Sequence, residues 1–401
     1  MNQFRMWDFA ILGAGPAGCA AALELAQSGA RVGLLEKAAF PRDKLCGEFL
    51  SPEVARILDD LGCGPQFRAA QPASIERGVV VTPSGARLEF PLPAPAYGLS
   101  RLRFDHLLAE AAQQAGAELI EKVEIAGGDR HSCLSQLPAS QTLEARDGRR
   151  FRARAVVLAA GRHSLLQPLH SLPSPLRPSP AAPGWANTGR SGAYFGFKAH
   201  YEGDCAGRVE LYFFRGGYCG LAPVEGGRVN LCCLVEKSLL AGCSAEQLLA
   251  KVPALRARLA GLRRTEPFLH TGPVAMGWRR PPPGLFPAGD AALFVDPFTG
   301  DGIALALETG RLAARHALRA QRDAAPIEEQ VAEYLEELRR RFGRQLRAGQ
   351  LLRAAAATPW LERPLLRLLA SAALRRAALR AAFRATRDFG RLATVRQSAR
   401  Q

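Results

Sequence analysis

Gly13, Gly15 and Gly18 stand in the spacing Gly-x-Gly-x-x-Gly close to the N-terminus. Each glycine of such a run has its own task. The first permits a tight turn after a strand, the second lets backbone approach a pyrophosphate, and the third lets the next helix pack closely on the strand. Pro16 suits an early helical position, where its missing N–H costs nothing, and Ala17 belongs to the same turn. The free N–H groups and the positive end of the helix dipole would face the phosphates. Glu36 closes the next apolar stretch, placed to accept hydrogen bonds from an adenosine ribose, with Lys37 beside it. The chemistry expected of these residues is dinucleotide binding.

A second run, FPAGDAALFVDPFTGDGI at 286–303, separates a flavin from a nicotinamide dinucleotide. Asp290 follows a glycine at the end of a strand, where its carboxylate could bond a ribitol hydroxyl. The turn through Gly300 and Gly302 leads into a helix at Ile303. Its N–H groups and dipole could stabilise negative charge on the N1–C2=O edge of a reduced flavin. Paired with the N-terminal run, it points to FAD.

The elements that must position these residues follow from pattern. Residues 7–12, 16–28 and 31–36 read as strand, helix and strand, a βαβ unit. Short alternating strands are expected over 75–100, a helix over 104–115 and a buried parallel strand over 155–159. Residues 171–184 read as a Pro- and Ser-rich surface loop, and 193–235 as an antiparallel sheet. A strand over 284–290, a helix from 302 to about 320 and helix beyond 327 complete the chain. The fold class is α/β: a Rossmann-like FAD-binding domain, an inserted antiparallel-sheet substrate domain and a helical C-terminal region. The FAD-binding domain is expected in three pieces, 1–74, 101–170 and 279–325, with substrate-domain segments at 75–100 and 171–278 and a basic helical region at 326–401.

The 401 residues are 48% hydrophobic and 22% charged, an ordinary globular balance. No apolar run approaches the ~18–20 residues that span a bilayer, and the start does not read as a signal peptide. A cytoplasmic, membrane-peripheral at most, location is expected. Nine cysteines, odd in number, scattered and without a Cys-x-x-Cys pair, argue against a disulfide framework, a zinc site or an iron–sulfur cluster. The formal net charge is +16, and residues 353–401 hold eleven arginines against Glu362 and Asp388. That tail lacks interleaved aromatics, so nucleic acid is not an expected partner. Two readings stand for it: a terminal helix folded onto the body, or an interfacial helix attracted to anionic lipid.

With these motifs, the sequence resembles the para-hydroxybenzoate hydroxylase-fold flavoproteins, and among them the geranylgeranyl reductase family, over roughly 7–320. Lys44-Leu45-Cys46-Gly47-Glu48 is similar to that family's Arg/Lys-x-Cys-Gly-Glu/Gly segment, Arg101-Leu102-Arg103-Phe104-Asp105 to its Arg-x-x-Phe-Asp, and Tyr218-Cys219-Gly220-Leu221-Ala222-Pro223 to its Tyr-x-Trp-x-Phe-Pro cavity stretch. The resemblance implies that Arg101 and Val123 contact FAD and that Cys46 and Gly47 run beside the isoalloxazine. Three departures stand out: Gly220 and Ala222 replace the cavity's Trp and Phe, which implies a wider or reshaped pocket; Ala160 stands where Asp is usual; and the basic C-terminal tail lies outside the resemblance.

Cys46 could then be a thiol that tunes the flavin or donates a proton, or a small residue filling space at the Gly47 turn. Tyr218 could donate a hydrogen bond or proton into the cavity, or only pack. Arg42 and Lys44 could offset phosphate charge or remain solvated, and His163 reads as surface. The function expected is that of an FAD-dependent oxidoreductase acting on a hydrophobic small molecule. NAD(P)H, as donor, would bind only transiently, since the chain carries one dinucleotide motif. Reduction of a C=C bond leads over hydroxylation by a monooxygenase. A non-catalytic flavoprotein adaptor is the alternative of another class.

Overall fold

The computed structural model describes residues 5–125, 134–137, 140–163, 194–274, 276–279 and 281–356. The expected loop at 171–184 and the arginine-rich tail lie outside them.

The chain opens with β1 (Arg5–Leu12), α1 (Pro16–Ala26) and β2 (Val32–Leu35), the expected βαβ unit, followed by β3 (Phe49–Leu50), α2 (Pro52–Asp60) and α3 (Gly64–Ala69). β4 (Ala73–Val81), β5 (Arg87–Gly98), α4 (Arg101–Gln114), β6 (Glu118–Ile120), β7 (Leu134–Leu137), β8 (Ser140–Glu144) and β9 (Arg150–Leu158) come next. After them run β10 (Tyr194–Glu202), β11 (Arg208–Phe214), β12 (Gly217–Val224), β13 (Arg228–Glu236), α5 (Lys237–Leu240), α6 (Ala245–Ala250) and α7 (Pro253–Leu259). The last elements are β14 (Arg263–Arg264), β15 (Leu269–Val274), β16 (Gly277–Trp278), β17 (Leu285–Pro287), β18 (Leu293–Phe294), α8 (Gly302–Arg322) and α9 (Ile327–Ala356).

Two large sheets result. The first runs β6-β2-β1-β9-β8-β7, with β17 beside β9. Its centre is parallel and buried on both faces, as period-two alternation in β1 dictates. Phe9 and Ile11 face a core built with α1, α4 and α8, while Ala10 and Leu12 face the opposite core. α1 packs against α8 so closely that a Cβ on Gly310 would stand 2.1 Å from the Ala17 carbonyl oxygen.

The second sheet runs β14-β10-β13-β12-β11-β4-β5-β3, with β15 also on β10. It is antiparallel except where β11 meets β4 in parallel, a departure from the all-antiparallel expectation. Phe197, Ala199 and Leu231 point to one face, where Leu248, Leu249 and Leu255 of α6 and α7 cover them. Lys198 and His200 occupy the alternate positions of β10, opposite Cys232 and Asn230 of β13. The cysteine reading needs correction here. Cys219 and Cys233 are register partners on β12 and β13 and form a disulfide. Sequence spacing could not show that pairing, because the strand register that creates it is a long-range property.

Candidate flavin and substrate site

The Gly-x-Gly-x-x-Gly turn is built as its spacing demands. Gly13 has φ +102°, and a Cβ there would lie 2.5 Å from the Ala159 carbonyl oxygen. A Cβ on Gly18 would lie 1.8 Å from the Gly13 carbonyl oxygen, so this glycine sets the helix–strand approach. Gly15 differs: a Cβ would meet only the Arg101 Nη2, at 3.9 Å. The space before Gly15 is therefore open. α1 starts there with no side-chain cap on its N-terminal N–H groups.

Glu36 is buried at the end of β2 and accepts from the backbone N–H groups of Ala14 (2.9 Å) and Ala38 (3.1 Å). Burial alone would raise its carboxyl, but the Arg42 guanidinium at 3.1 Å and these two N–H groups hold it below its ordinary range. Arg42 also pairs with Asp105 at 2.6 Å, so it is engaged rather than solvated. Arg101 donates twice to Asp105, at 2.7 Å each. Burial would depress the Arg101 guanidinium, but the Asp105 charge more than reverses this and raises it. Lys37 is exposed, and Val123 packs in a core with its N–H on the Glu36 carbonyl oxygen. Neither side chain lines the cavity described next.

That cavity, about 570 Å³, opens between the two sheets. On one side stand Gly15, Pro16 and Ala17, the segment Lys44–Phe49, Arg101, Asp290, and the turn with Gly300, Gly302 and Ile303. On the other, Val80, Leu88, Phe90, Leu92 and Leu211 supply an apolar wall, and Gly220 and Ala222 leave room beside it. Asp290 sits on a short 3-10 turn, Gly289–Ala291, rather than at a strand end, and faces Arg162 at 3.9 Å. Gly300 closes its turn at φ +73°, a conformation that glycine adopts without strain. α8 then begins, again without a side-chain cap. Tyr218 forms an aromatic corner with Phe213 and Phe298, at centroid distances of 5.7 and 6.3 Å.

Cys46 is half-buried in the cavity wall. Its Sγ accepts from the Glu48 N–H at 3.4 Å, and its carbonyl oxygen accepts from Asn230 Nδ2 at 3.0 Å. Glu48, which sequence reasoning quoted only as part of a motif, is fully buried with φ +56°. A non-glycine residue held in that left-handed region marks local strain. Lys198 and His200, buried on β10, both reach its carboxylate. Their signal was present: two polar residues alternate with Phe197, Ala199 and Tyr201 on a strand otherwise bound for the core.

Two uncapped helix N-termini, an open space at Gly15 and a predominantly apolar trough fit FAD: diphosphate at α1, and the anionic edge of the reduced ring at α8. Lys44 strengthens the fit. Burial and the Arg101 charge pull its ammonium below its ordinary range, and among the described residues no carboxylate lies within ion-pair distance of it. An anionic cofactor would supply that charge.

Comparison with known proteins gives the same cofactor. Residues 6–177 match the model of an FAD binding domain. The chain is 30% identical over 321 residues to digeranylgeranylglycerophospholipid reductase 1 of Methanopyrus kandleri, covering 78% of this chain and 81% of the relative. It belongs to the geranylgeranyl reductase family. This family membership makes the chain an FAD-dependent oxidoreductase. A further relative is the menaquinone reductase of Mycobacterium tuberculosis H37Rv, 29% identical over 329 residues, with 77% of this chain and 75% of that protein covered. Among solved structures, a geranylgeranyl bacteriochlorophyll reductase-like protein of Thermoplasma acidophilum superposes with a TM-score of 0.74 at 20% identity, over 96% of this chain and 98% of that one. Among the described residues, no helix of this reductase-family chain is long and apolar enough to cross a membrane.

Proposed function

We propose that this reductase saturates carbon–carbon double bonds in a long apolar chain of the polyprenyl type. The observation that carries the reading is the apolar wall of Val80, Leu88, Phe90, Leu92 and Leu211. It continues from the flavin side of the cavity, and Gly220 and Ala222 widen it. The relatives named for geranylgeranyl and menaquinone reduction support the same substrate class.

Charge and space support the following placement of the cofactor. Gly15 and the α1 N-terminus receive the diphosphate, with Gly13 and Gly18 shaping the turn. Glu36 accepts from the adenosine ribose once Arg42 yields. Asp290 binds the ribitol chain, and Gly300, Gly302 and Ile303 present N–H groups to the pyrimidine edge. When bound and reduced, FAD supplies an electron pair with one hydrogen. Everything else falls to side chains. The apolar wall excludes water and holds the chain, Tyr218 and Phe298 confine it at the ring, and the Cys46 thiol delivers the second hydrogen as a proton. NAD(P)H, as electron donor, binds transiently.

The test is incubation of reduced holoenzyme with menaquinone or a geranylgeranylated lipid, followed by mass spectrometry. Cys46→Ser should retain FAD and lose most of the saturation. Product formation unchanged in that variant would remove Cys46 from the chemistry.

A further inference from the structure

We infer that Glu266, His200 and Glu48 form a proton relay that carries solvent protons to the cavity wall beside Cys46, with Lys198 holding its inner end in place. The inference rests on FAD binding in this cavity and adds to the proposed reaction the source of its proton.

Hydrogen bonds run without a break from Glu266 to Glu48 in the cavity wall. Glu266 has a side chain 41% exposed, so its carboxylate exchanges protons with water. It hydrogen-bonds His200 Nδ1 and also accepts from the His200 backbone N–H at 3.2 Å. His200, 3% exposed, reaches Glu48 Oε2 through Nε2 at 2.6 Å. Glu48 lines the cavity, two residues from Cys46. Its other oxygen accepts from Lys198 Nζ at 2.7 Å and from the Arg101 N–H at 2.8 Å. Asp43 takes a second bond from Lys198 at 2.7 Å. Groups facing His200 are thus Glu48 and Asp43 from the loop, Lys198 from its own strand and Glu266 from the stretch after β14.

An imidazole between two carboxylates donates from both nitrogens. Burial would favour the neutral ring, but the Glu48 hydrogen bond and charge outweigh it and raise the His200 pKa. His200 therefore keeps its proton to a higher pH than a free imidazole, and the relay empties as the pH rises through that raised value.

A clamp that only fixed the loop to β10 would not need a path to solvent. Nor would it need a strained glutamate at the inner end. In the reaction, one hydrogen reaches the double bond with the electron pair that reduced FAD gives up as it is oxidised. The second is a proton released by the cavity donor. That donor regains a proton from Glu48, Glu48 from His200 Nε2, and His200 from solvent through Glu266 once the ring has turned between its carboxylates.

The experiment uses full-length, FAD-loaded protein and the variants H200Q and E266Q. Methyl viologen radical generated at an electrode gives up electrons with no change in protons, so reduction of bound FAD draws one proton, taken through the Cys46 thiol that the relay refills from solvent. A pH-indicator dye in weak buffer reads that uptake beside the bleaching of the flavin. In the wild type the two traces coincide. In H200Q, uptake lags by about a hundredfold or more, the lower end of what positioned acid–base groups contribute. The lag lengthens in D₂O, and added imidazole shortens it. E266Q lags less, and it decides the matter if H200Q does not retain FAD. Uptake in the variants as fast as in the wild type, with an unchanged isotope effect, overturns the relay. Because this readout needs no acceptor, a failure to saturate prenyl chains in the wild type would overturn the proposed reaction and not the relay.

Discussion

Asp105 lies one helical turn beyond Arg101 and accepts both of its inward-facing N–H groups at 2.7 Å, while Arg42 takes the same carboxylate from the other side. The triad joins α4 to the loop that carries Cys46, beneath the Gly15 turn. Burial would raise the Asp105 carboxyl, but Arg101 and Arg42 hold it below its ordinary range. A carboxyl depressed on folding contributes stability that is complete at neutral pH and is lost as the pH falls through its folded value. Asp105→Asn leaves two guanidinium groups uncompensated and should destabilise the fold by about 3–5 kcal/mol at pH 7. Urea melts at neutral and acidic pH check this: the gap between wild type and variant should narrow in acid. A gap independent of pH would assign the loss to packing.

Gly15 and Gly18 separate cofactor space from fold space. Gly15→Val should lose FAD with a melting temperature close to that of the cofactor-free wild type, because its new side chain enters open space. Gly18→Ala should destabilise the protein whether or not FAD is present, since its Cβ would press on the Gly13 carbonyl. Flavin absorbance and thermal melts of the two variants should therefore move in opposite patterns.

Gly220→Trp should narrow the substrate end of the cavity and spare the cofactor. A Cβ on Gly220 meets Leu211 at an ordinary 3.4 Å, so the strand tolerates a side chain, but an indole would occupy the widened part of the cavity. FAD content should stay at the wild-type level while the preference shifts from bulky substrates toward slender prenyl chains, as the family's own Trp at this position implies. An unchanged preference between bulky and slender substrates would show that they enter elsewhere.

The arginine-rich tail should attract anionic lipid. Each basic residue near such a surface is worth about 1 kcal/mol, and salt screens the attraction. Truncation at Thr358 should keep FAD and abolish low-salt cosedimentation with phosphatidylserine vesicles. Loss of FAD on truncation would instead make the tail part of the body.

What was legible in the sequence was local. Gly13 to Gly18 and the turn before α8 declare their backbone geometry within a few residues, because a tight turn and a helix start are short-range structures. What stayed hidden was long-range. Glu48, His200 and Glu266 come together only when β10 pairs with its neighbours, and Cys219 meets Cys233 only through the register of β12 and β13. Arg42 illustrates the same limit: its charge was visible, but not that Glu36 and Asp105 would share it.

The most direct test of the central claim is the mass of the product formed when FAD-loaded, anaerobically reduced protein meets menaquinone bearing an unsaturated prenyl chain. A gain of two hydrogens for each double bond, with matching reoxidation of the flavin and little product from Cys46→Ser, is the expected result. Product carrying an added oxygen atom when air is admitted, with no saturated chain under either condition, would contradict it.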